Sequence, residues 1–159
     1  MLEALLLFAA MTRTVEGTVM SVDVNPPRLM ANVRRQFQTF DFATDAVIER
    51  EACSRTTKIA LADLTPGELV RLDLDRAGHV TRAHAIANVE AAKVRSVSGS
   101  NIVLEDGRTF TVSTVLRFVD AKGKPSAKIT ARPGDTVLLF HHPETENVYR
   151  ISAVAPAQR

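Results

Sequence analysis

The sequence predicts an all-β protein that contains two tandem copies of one small module. Two observations support this fold class. Short apolar stretches alternate with polar residues at a period of two, and turn-forming residues separate these stretches along the chain. Several of the stretches then recur in the same order in the second half, which is the pattern of an internal repeat.

Four pairs of segments define the repeat. They are residues 19–22 with 94–97, 38–42 with 108–112, 64–70 with 131–137, and 80–86 with 148–154. The offset between the copies changes only between these blocks, where turns or loops can absorb insertions. We therefore assign residues 1–12 to an apolar N-terminal segment, 13–87 to the first repeat and 88–156 to the second.

The first strand of the repeat contains a predicted bulge. Val15 and Val19 share one face, and the apolar parity then flips from Met20 onward. A parity flip inside a strand indicates a bulge, which bends the strand enough to turn a barrel corner. The Asn-Pro-Pro sequence at 25–27 must be a turn, because proline cannot donate to the strand ladder, and Ser-Gly-Ser-Asn at 98–101 takes its place in the second copy.

The later strands are separated by turns that contain glycine. Asp-Gly at 106–107 predicts a tight hairpin turn. The Pro-Gly pairs at 66–67 and 133–134 suit a type II turn, because proline presets φ and glycine accepts a positive φ. A small antiparallel sheet that curls closed has no exposed edge. We therefore expect two antiparallel barrels of about five or six strands each, similar to the oligonucleotide/oligosaccharide-binding (OB) fold.

The composition is that of a globular protein with nearly balanced charge. The chain has 159 residues, of which 20 are Lys or Arg and 18 are Asp or Glu, so the formal net charge is +2. This balance lacks the concentrated positive field that drives binding to a phosphate backbone. The single cysteine, Cys53, excludes an intrachain disulfide. We interpret it as a small, partly exposed side chain rather than a reactive thiol.

The apolar N-terminal segment leaves three interpretations open. Residues 1–11 are too short to span a bilayer, which needs about 20 apolar residues. They are the remnant of a secretory signal, a short helix over residues 2–10, or a dispensable extension with Met11 as the true start. The signal interpretation predicts a periplasmic or extracellular protein, and the alternative is a cytoplasmic one.

Four motifs carry a resemblance to a known family. They are Val-Glu-Gly-Thr-Val at 15–19, Thr-Asp-Ala at 44–46, Leu-Ala-Asp-Leu-Thr-Pro-Gly-Glu at 61–68 and Val-Thr-Arg-Ala-His-Ala-Ile at 80–86. Together they resemble a bacterial family of tandem small β-barrel domains of unknown function, of secreted or envelope type. The resemblance implies a non-catalytic binding, assembly or spacer module of the cell envelope, by analogy of fold.

The sequence contains no recognisable catalytic or cofactor-binding motif, so we expect neither an enzyme nor a bound cofactor. His141 and His142, followed by Glu144 and Glu146, come closest to a metal cluster. Adjacent strand residues point to opposite faces, so only one of the two histidines could join a glutamate at an ion. We interpret this stretch as a solvated turn and predict no metal site.

The most suggestive segment for binding lies at residues 34–42. Arg34, Arg35 and Phe37 form our candidate partner-binding surface, because basic residues interleaved with aromatic rings can bind single-stranded nucleic acid. Phe40 and Phe42 share a face and are interpreted as core residues. The expected partner is an unidentified protein or polymer, and nucleic acid is the alternative.

Overall fold

The computed structural model describes residues 12–155, and this part of the chain is all-β. It contains twelve strands and one short 3-10 helix, η1, at Leu61–Asp63. The predicted N-terminal helix falls in residues 1–11, which lie outside the described residues. The strands are β1 (Arg13–Val24), β2 (Pro27–Val33), β3 (Gln36–Ala52), β4 (Arg55–Lys58), β5 (Leu69–Leu74), β6 (Val80–Ser98), β7 (Asn101–Leu104), β8 (Thr109–Thr111), β9 (Arg117–Val119), β10 (Pro125–Ser126), β11 (Thr136–His141) and β12 (Val148–Ala153).

In the first half of the chain, five strands pair in a closed cycle. β1 is antiparallel to β2 and β5, β2 is antiparallel to β3, and β5 is antiparallel to β6. The parallel pairing of β3 with β6 completes the cycle, and β4 forms a hairpin with the end of β3. The cycle surrounds one hydrophobic core. Its fully buried members include Val19, Leu29, Leu64, Val70, Leu72 and Val80.

The second half repeats this order of neighbours. β6 is antiparallel to β7 and β11, β7 to β8, β11 to β12, and β9 to β10, whereas β9 and β12 are parallel. No pairing within residues 12–155 joins β8 to β9, so this cycle is open at one place. A second core fills it. Its fully buried members include Val94, Ile102, Leu104, Phe118, Leu139 and Ile151.

The bulge predicted in the first strand lies where the parity of the sequence flips. The register of β1 against β2 shifts between Val19 and Ser21. The register of β6 against β7 shifts in the same way between Val94 and Ser96. Beyond the bulge Met20 and Val24 are exposed, whereas Val22 is partly buried and packs against the first core. The bulge therefore turns part of β1 away from the core and toward solvent.

Both Pro-Gly turns have the predicted type II geometry. Gly67 has φ of 92° and Gly134 has φ of 89°. The nitrogen of Glu68 donates to the carbonyl of Thr65 over 3.1 Å, which closes the first turn. Val19 then joins this turn to the bulge, because its nitrogen donates to Glu68 O over 2.8 Å and its carbonyl accepts from Gly67 N over 2.8 Å.

Strand β6 is 19 residues long and takes part in both halves. Its pairings with β3 end at Ala87, and its pairings with β11 begin at Asn88. One continuous strand therefore pairs with the sheets of both halves, and no loop separates the two sets of pairings. A shared strand without a flexible linker fixes the two halves relative to each other.

Candidate ligand-binding cleft between the halves

A buried ion pair lies at the Pro-Gly turn of the first half, where the second half packs on it. Glu68 is 0% exposed, and its Oε1 accepts from Arg50 Nε over 2.5 Å. Its Oε2 accepts from Arg50 Nη2 over 2.9 Å and from Thr65 N over 3.0 Å. Burial alone would lower the pKa of Arg50, but the hydrogen bonds and the charge of Glu68 raise it. Arg50 therefore keeps its positive charge at all ordinary pH values.

Tyr149 of β12 packs directly on this turn. Its hydroxyl lies 3.4 Å from Glu68 Oε1, and its ring packs against Phe140 of β11. A Cβ atom placed on Gly67 would lie 2.7 Å from Tyr149 Cβ, so the close approach requires glycine at this position. Burial raises the pKa of Tyr149, and the negative charge of Glu68 raises it further. Tyr149, Phe140 and Ala87 form a third buried cluster at the junction.

Beside this junction, residues of both halves line a cleft of about 740 Å³. The first half contributes the bulge of β1 and the Pro-Gly turn, and the second half contributes the β8–β9 connection and the β11–β12 loop. Two apolar side chains of the lining are well exposed, Met20 at 42% and Val115 at 77%. Further apolar lining comes from Val22, Phe110 and Val148.

His142 is a buried polar side chain of the cleft lining, and its environment corrects the sequence interpretation. The solvated-turn prediction is wrong for this residue, which is only 4% exposed. Its Nδ1 accepts from the nitrogens of Glu144 (3.2 Å) and Thr145 (3.4 Å). Neutral His142 therefore carries its proton on Nε2, which lies 3.1 Å from Thr18 Oγ1. The burial comes from the first half of the chain, a contact that the local sequence does not reveal.

His141 points away from His142, as expected for neighbours on a strand. Its Nε2 lies 3.1 Å from Glu90 Oε2, and its Nδ1 lies 3.1 Å from the carbonyl of Glu146. Hydrogen bonds from Arg108 lower the pKa of Glu90, with a smaller contribution from His141. Within residues 12–155, no group of three or more His, Cys, Asp and Glu side chains is arranged to hold a metal ion.

The surface predicted from Arg34, Arg35 and Phe37 lies away from this cleft. Arg34 and Arg35 form the turn between β2 and β3, with φ of 50° and 67°. Phe37 is 68% exposed on β3, and none of the three residues lines the cleft. Phe40 and Phe42 both pack in the first core, so the prediction that they are core residues is confirmed.

Cys53 is a free, exposed cysteine in the turn between β3 and β4. It has φ of 52°, and the neighbouring Ser54 has φ of 60°. Its place in a tight, exposed turn accords with the interpretation of Cys53 as a small side chain on the surface.

Comparison with known protein families and curated sequences gives no function for this chain, so its function has to be inferred from the geometry. The chain matches no model of a known protein family, and no curated protein sequence matches it either. None of the helical segments in the described part of the chain has the length and hydrophobicity required to cross a membrane.

Sequence reasoning missed the residues that form the junction and the cleft. Glu68 and Tyr149 are 81 residues apart, and the contact between them depends on how the two halves pack. One signal was present in the sequence, because the residue that matches Glu68 in the second copy is the shorter Asp135. Glu68 reaches Arg50 and Tyr149, whereas Asp135 accepts from the backbone nitrogen of Arg132 within its own turn.

Proposed function

We propose that this chain is a non-catalytic binding module, built as two tandem OB-like barrels, with its ligand site in the cleft between them. The observation that carries the proposal is the cleft of about 740 Å³ that both halves line. Ligand sites in proteins typically have volumes of about 300–1,000 Å³, with mostly apolar walls and a few polar groups. The exposed Met20 and Val115, together with the buried polar His142, match that description.

The pairing pattern supports the two-barrel part of the proposal. The OB fold is a five-stranded barrel, and in the first half five strands pair in a closed cycle. The second half has the same order of neighbours, with its third strand divided into β8 and β9. Val94 makes the same two hydrogen bonds to the second Pro-Gly turn that Val19 makes to the first. The change of partners along β6 between Ala87 and Asn88 agrees with a boundary at that point.

The hydrogen bonds of the cleft favour binding over catalysis. A general base needs a free ring nitrogen that can reach a substrate proton. Both nitrogens of His142 are already engaged, one by backbone N–H groups and one by Thr18. Tyr149 of the second half also contacts the buried Glu68, which holds the Pro-Gly side of the cleft in place before a ligand arrives. Preorganisation of this kind lowers the entropic cost of binding.

Titration with Nile red, an uncharged apolar dye, tests whether the cleft binds ligands. We expect saturable binding to the full chain and a loss of roughly tenfold in affinity for Val115→Asp, because the new charge would have to be desolvated. Val115 is 77% exposed, so this substitution should not affect folding. Val24→Asp is the matched control, since Val24 is 63% exposed on β1 and does not line the cleft. Equal effects of the two substitutions, or no binding of the dye, would refute the proposal.

Binding of single-stranded nucleic acid at Arg34, Arg35 and Phe37 is a second candidate function. The observation that favours it is the phenyl ring of Phe37, which is 68% exposed beside two arginines. A random oligonucleotide would then bind in a strongly salt-dependent manner, and Phe37→Ser would weaken the binding. The same affinity for wild type and Phe37→Ser would exclude this site.

We also propose that the module acts in the cell envelope, because its sequence motifs resemble those of a secreted or envelope-type family. Fractionation of cells that express the full chain tests this proposal. The protein should appear in the periplasmic or membrane-associated fraction, and recovery in the cytoplasmic fraction would contradict it.

A further inference from the structure

Two arginines of the second half lie side by side without a carboxylate partner. Arg117 of β9 and Arg150 of β12 are register partners on neighbouring parallel strands, so their side chains leave the sheet on the same face. Neither forms an ion pair with an acidic residue of the described part of the chain. Like charges at neighbouring positions of a sheet are unfavourable unless something compensates them.

Arg150 is held in position by an aromatic ring and a hydroxyl group, neither of which carries a charge. Its guanidinium carbon lies 4.5 Å from the centre of the Phe140 ring, and its Nε donates to Ser152 Oγ over 2.8 Å. Burial lowers the pKa of Arg150 and the positive charge of Arg50 lowers it further, whereas the negative charges of Glu68 and Asp63 offset part of this effect. These contacts orient the guanidinium but supply no negative charge to balance it.

The matching positions of the first half show that this imbalance is specific to the second half. Arg82 is the match of Arg150, and its Nη2 donates to Glu49 Oε2 over 2.7 Å. The pairing register places Glu49 beside His84 in the first half and Val119 beside Ser152 in the second. The second half therefore has an apolar residue where the first half has the acidic partner.

The two halves also differ at the residue beside this arginine on the neighbouring strand. The residue beside Arg82 on the neighbouring parallel strand is Val47, whereas the residue beside Arg150 is Arg117. One half thus has a valine and an ion-paired arginine, and the other half has two arginines without an ion-pair partner. Packing of the strands does not require this change, because the first half has the same pairing without it.

Arg117 lines the cleft and also a second, smaller cavity of about 240 Å³. Arg50 and Arg150 line this smaller cavity too, and its acidic residue is Asp63. Arg50 is paired with Glu68, so Asp63 is the one carboxylate of the cavity lining that remains for Arg117 and Arg150. With Glu68 included, the group has three arginines and two carboxylates. The smaller cavity thus has an excess of one positive charge. The cleft, in contrast, has Arg117 as the one Lys, Arg, Asp or Glu residue of its lining.

We propose that the cleft binds an amphipathic molecule whose apolar chain lies along Met20 and Val115 and whose oxyanionic head group is bound by Arg117 and Arg150. Guanidinium groups bind carboxylate and phosphate oxygens through paired hydrogen bonds, which explains why arginine occupies both positions. This inference rests on the proposed function, because it assigns a ligand class to the same cleft. It adds the requirement that the ligand carry a negative charge, which apolar contacts in the cleft alone would not impose.

Competition against Nile red on the full chain tests the charge requirement. The competitors are decyl phosphate, decanoate and decan-1-ol, which differ in the head group, together with inorganic phosphate, which lacks the alkyl chain. We expect both alkyl anions to displace the dye at concentrations at least roughly tenfold lower than the alcohol, since a hydrogen bond to a charged group strengthens binding by about that factor or more. The ratio between decyl phosphate and decanoate then identifies the preferred head group.

Arg117→Gln provides the decisive variant, because Arg117 is half-buried and has no partner among the described residues whose loss would affect folding. It should weaken the binding of both alkyl anions roughly 10- to 100-fold and leave that of decan-1-ol unchanged. Arg117→Lys should retain part of the preference, because lysine keeps the charge but not the paired donors. Arg95→Gln, which removes an exposed arginine of β6, is the matched control and should change nothing.

The outcomes separate this inference from the proposed function. If Nile red binds and all three decyl compounds compete equally, the cleft is a ligand site and the oxyanion inference is wrong. The inference is also wrong if Arg117→Gln weakens the alcohol and the anions alike, or if inorganic phosphate binds as tightly as decyl phosphate. If neither the dye nor any decyl compound binds, both proposals fail.

Discussion

Replacing Glu68 by glutamine tests the role assigned to the buried ion pair at the junction. The substitution keeps the shape of the side chain and removes its charge. Arg50, which is 9% exposed, would then lose the carboxylate that accepts two of its hydrogen bonds. Breaking a buried ion pair by neutralising one partner costs about 3–5 kcal/mol, because the remaining charge is left desolvated. We expect Glu68→Gln to lower the free energy of unfolding by that amount.

The magnitude follows from how fully the carboxylate is engaged. Glu68 is 0% exposed and accepts two hydrogen bonds from Arg50 and one from the nitrogen of Thr65. Glutamine can still accept from Thr65, but its amide group would present a donor to a guanidinium that has donors alone. Domains unfold with a total free energy of about 5–15 kcal/mol, so the expected loss would be a large part of the stability.

Asp135→Asn is the matched control for this experiment. Asp135 occupies the same position in the second Pro-Gly turn, and its Oδ2 accepts from Arg132 N over 2.8 Å. It is exposed and has no buried cation beside it, so we expect a change within about 0.5 kcal/mol. Urea unfolding followed by far-ultraviolet circular dichroism measures both variants. If Glu68→Gln costs no more than Asp135→Asn, the buried pair does not stabilise the junction.

Three further predictions concern the contacts between the halves. Gly67→Ala should destabilise the protein by about 1–3 kcal/mol more than Gly134→Ala in urea unfolding, because both glycines have positive φ but the new Cβ meets Tyr149 only at Gly67; equal costs would argue against the close approach. Since burial and Glu68 raise the pKa of Tyr149, the folded state retains the phenol proton above pH about 10, and stability should fall there by up to about 1.4 kcal/mol per pH unit. Ultraviolet absorbance follows this titration without interference, because Tyr149 is the sole tyrosine and the chain has no tryptophan. Tyr149→Phe should remove the loss of stability above pH about 10. A tyrosine titration at the ordinary pKa would contradict the burial of Tyr149. Thr18→Val should cost about 1 kcal/mol in thermal unfolding by leaving His142 Nε2 unpaired, and a neutral result would show that this hydrogen bond contributes nothing.

The strands and turns could be predicted from the sequence because their signals are local. The alternation around Val15, the parity flip at Met20 and the Pro-Gly turns each lie within a few residues, and each appears in the structure at the expected place. The burial of His142 could not be predicted in this way. Its position in the loop after β11 is typical of a solvated turn, and the first half of the chain covers it through Thr18.

The candidate site could not be predicted for the same reason, since its residues come from distant parts of the chain. Arg117 follows a short irregular stretch after β8, and nothing in its immediate sequence distinguishes it from a surface arginine. Its importance becomes visible only when the pairing of β9 with β12 places it beside Arg150. The surface predicted from Arg34, Arg35 and Phe37 relied on local composition, and the structure confirms only the exposure of that ring.

Two halves with one pairing order provide an internal comparison that a single sequence otherwise lacks. Where matched residues play the same role, as Val19 and Val94 do at the two Pro-Gly turns, the fold itself accounts for them. Where they differ, the fold does not account for the difference, because the other half keeps the same strand pairing without it. Glu68 differs from Asp135 at the place where the halves pack on each other. Arg117 differs from Val47 at a position that lines two cavities, and the proposed oxyanionic ligand would account for the added charge.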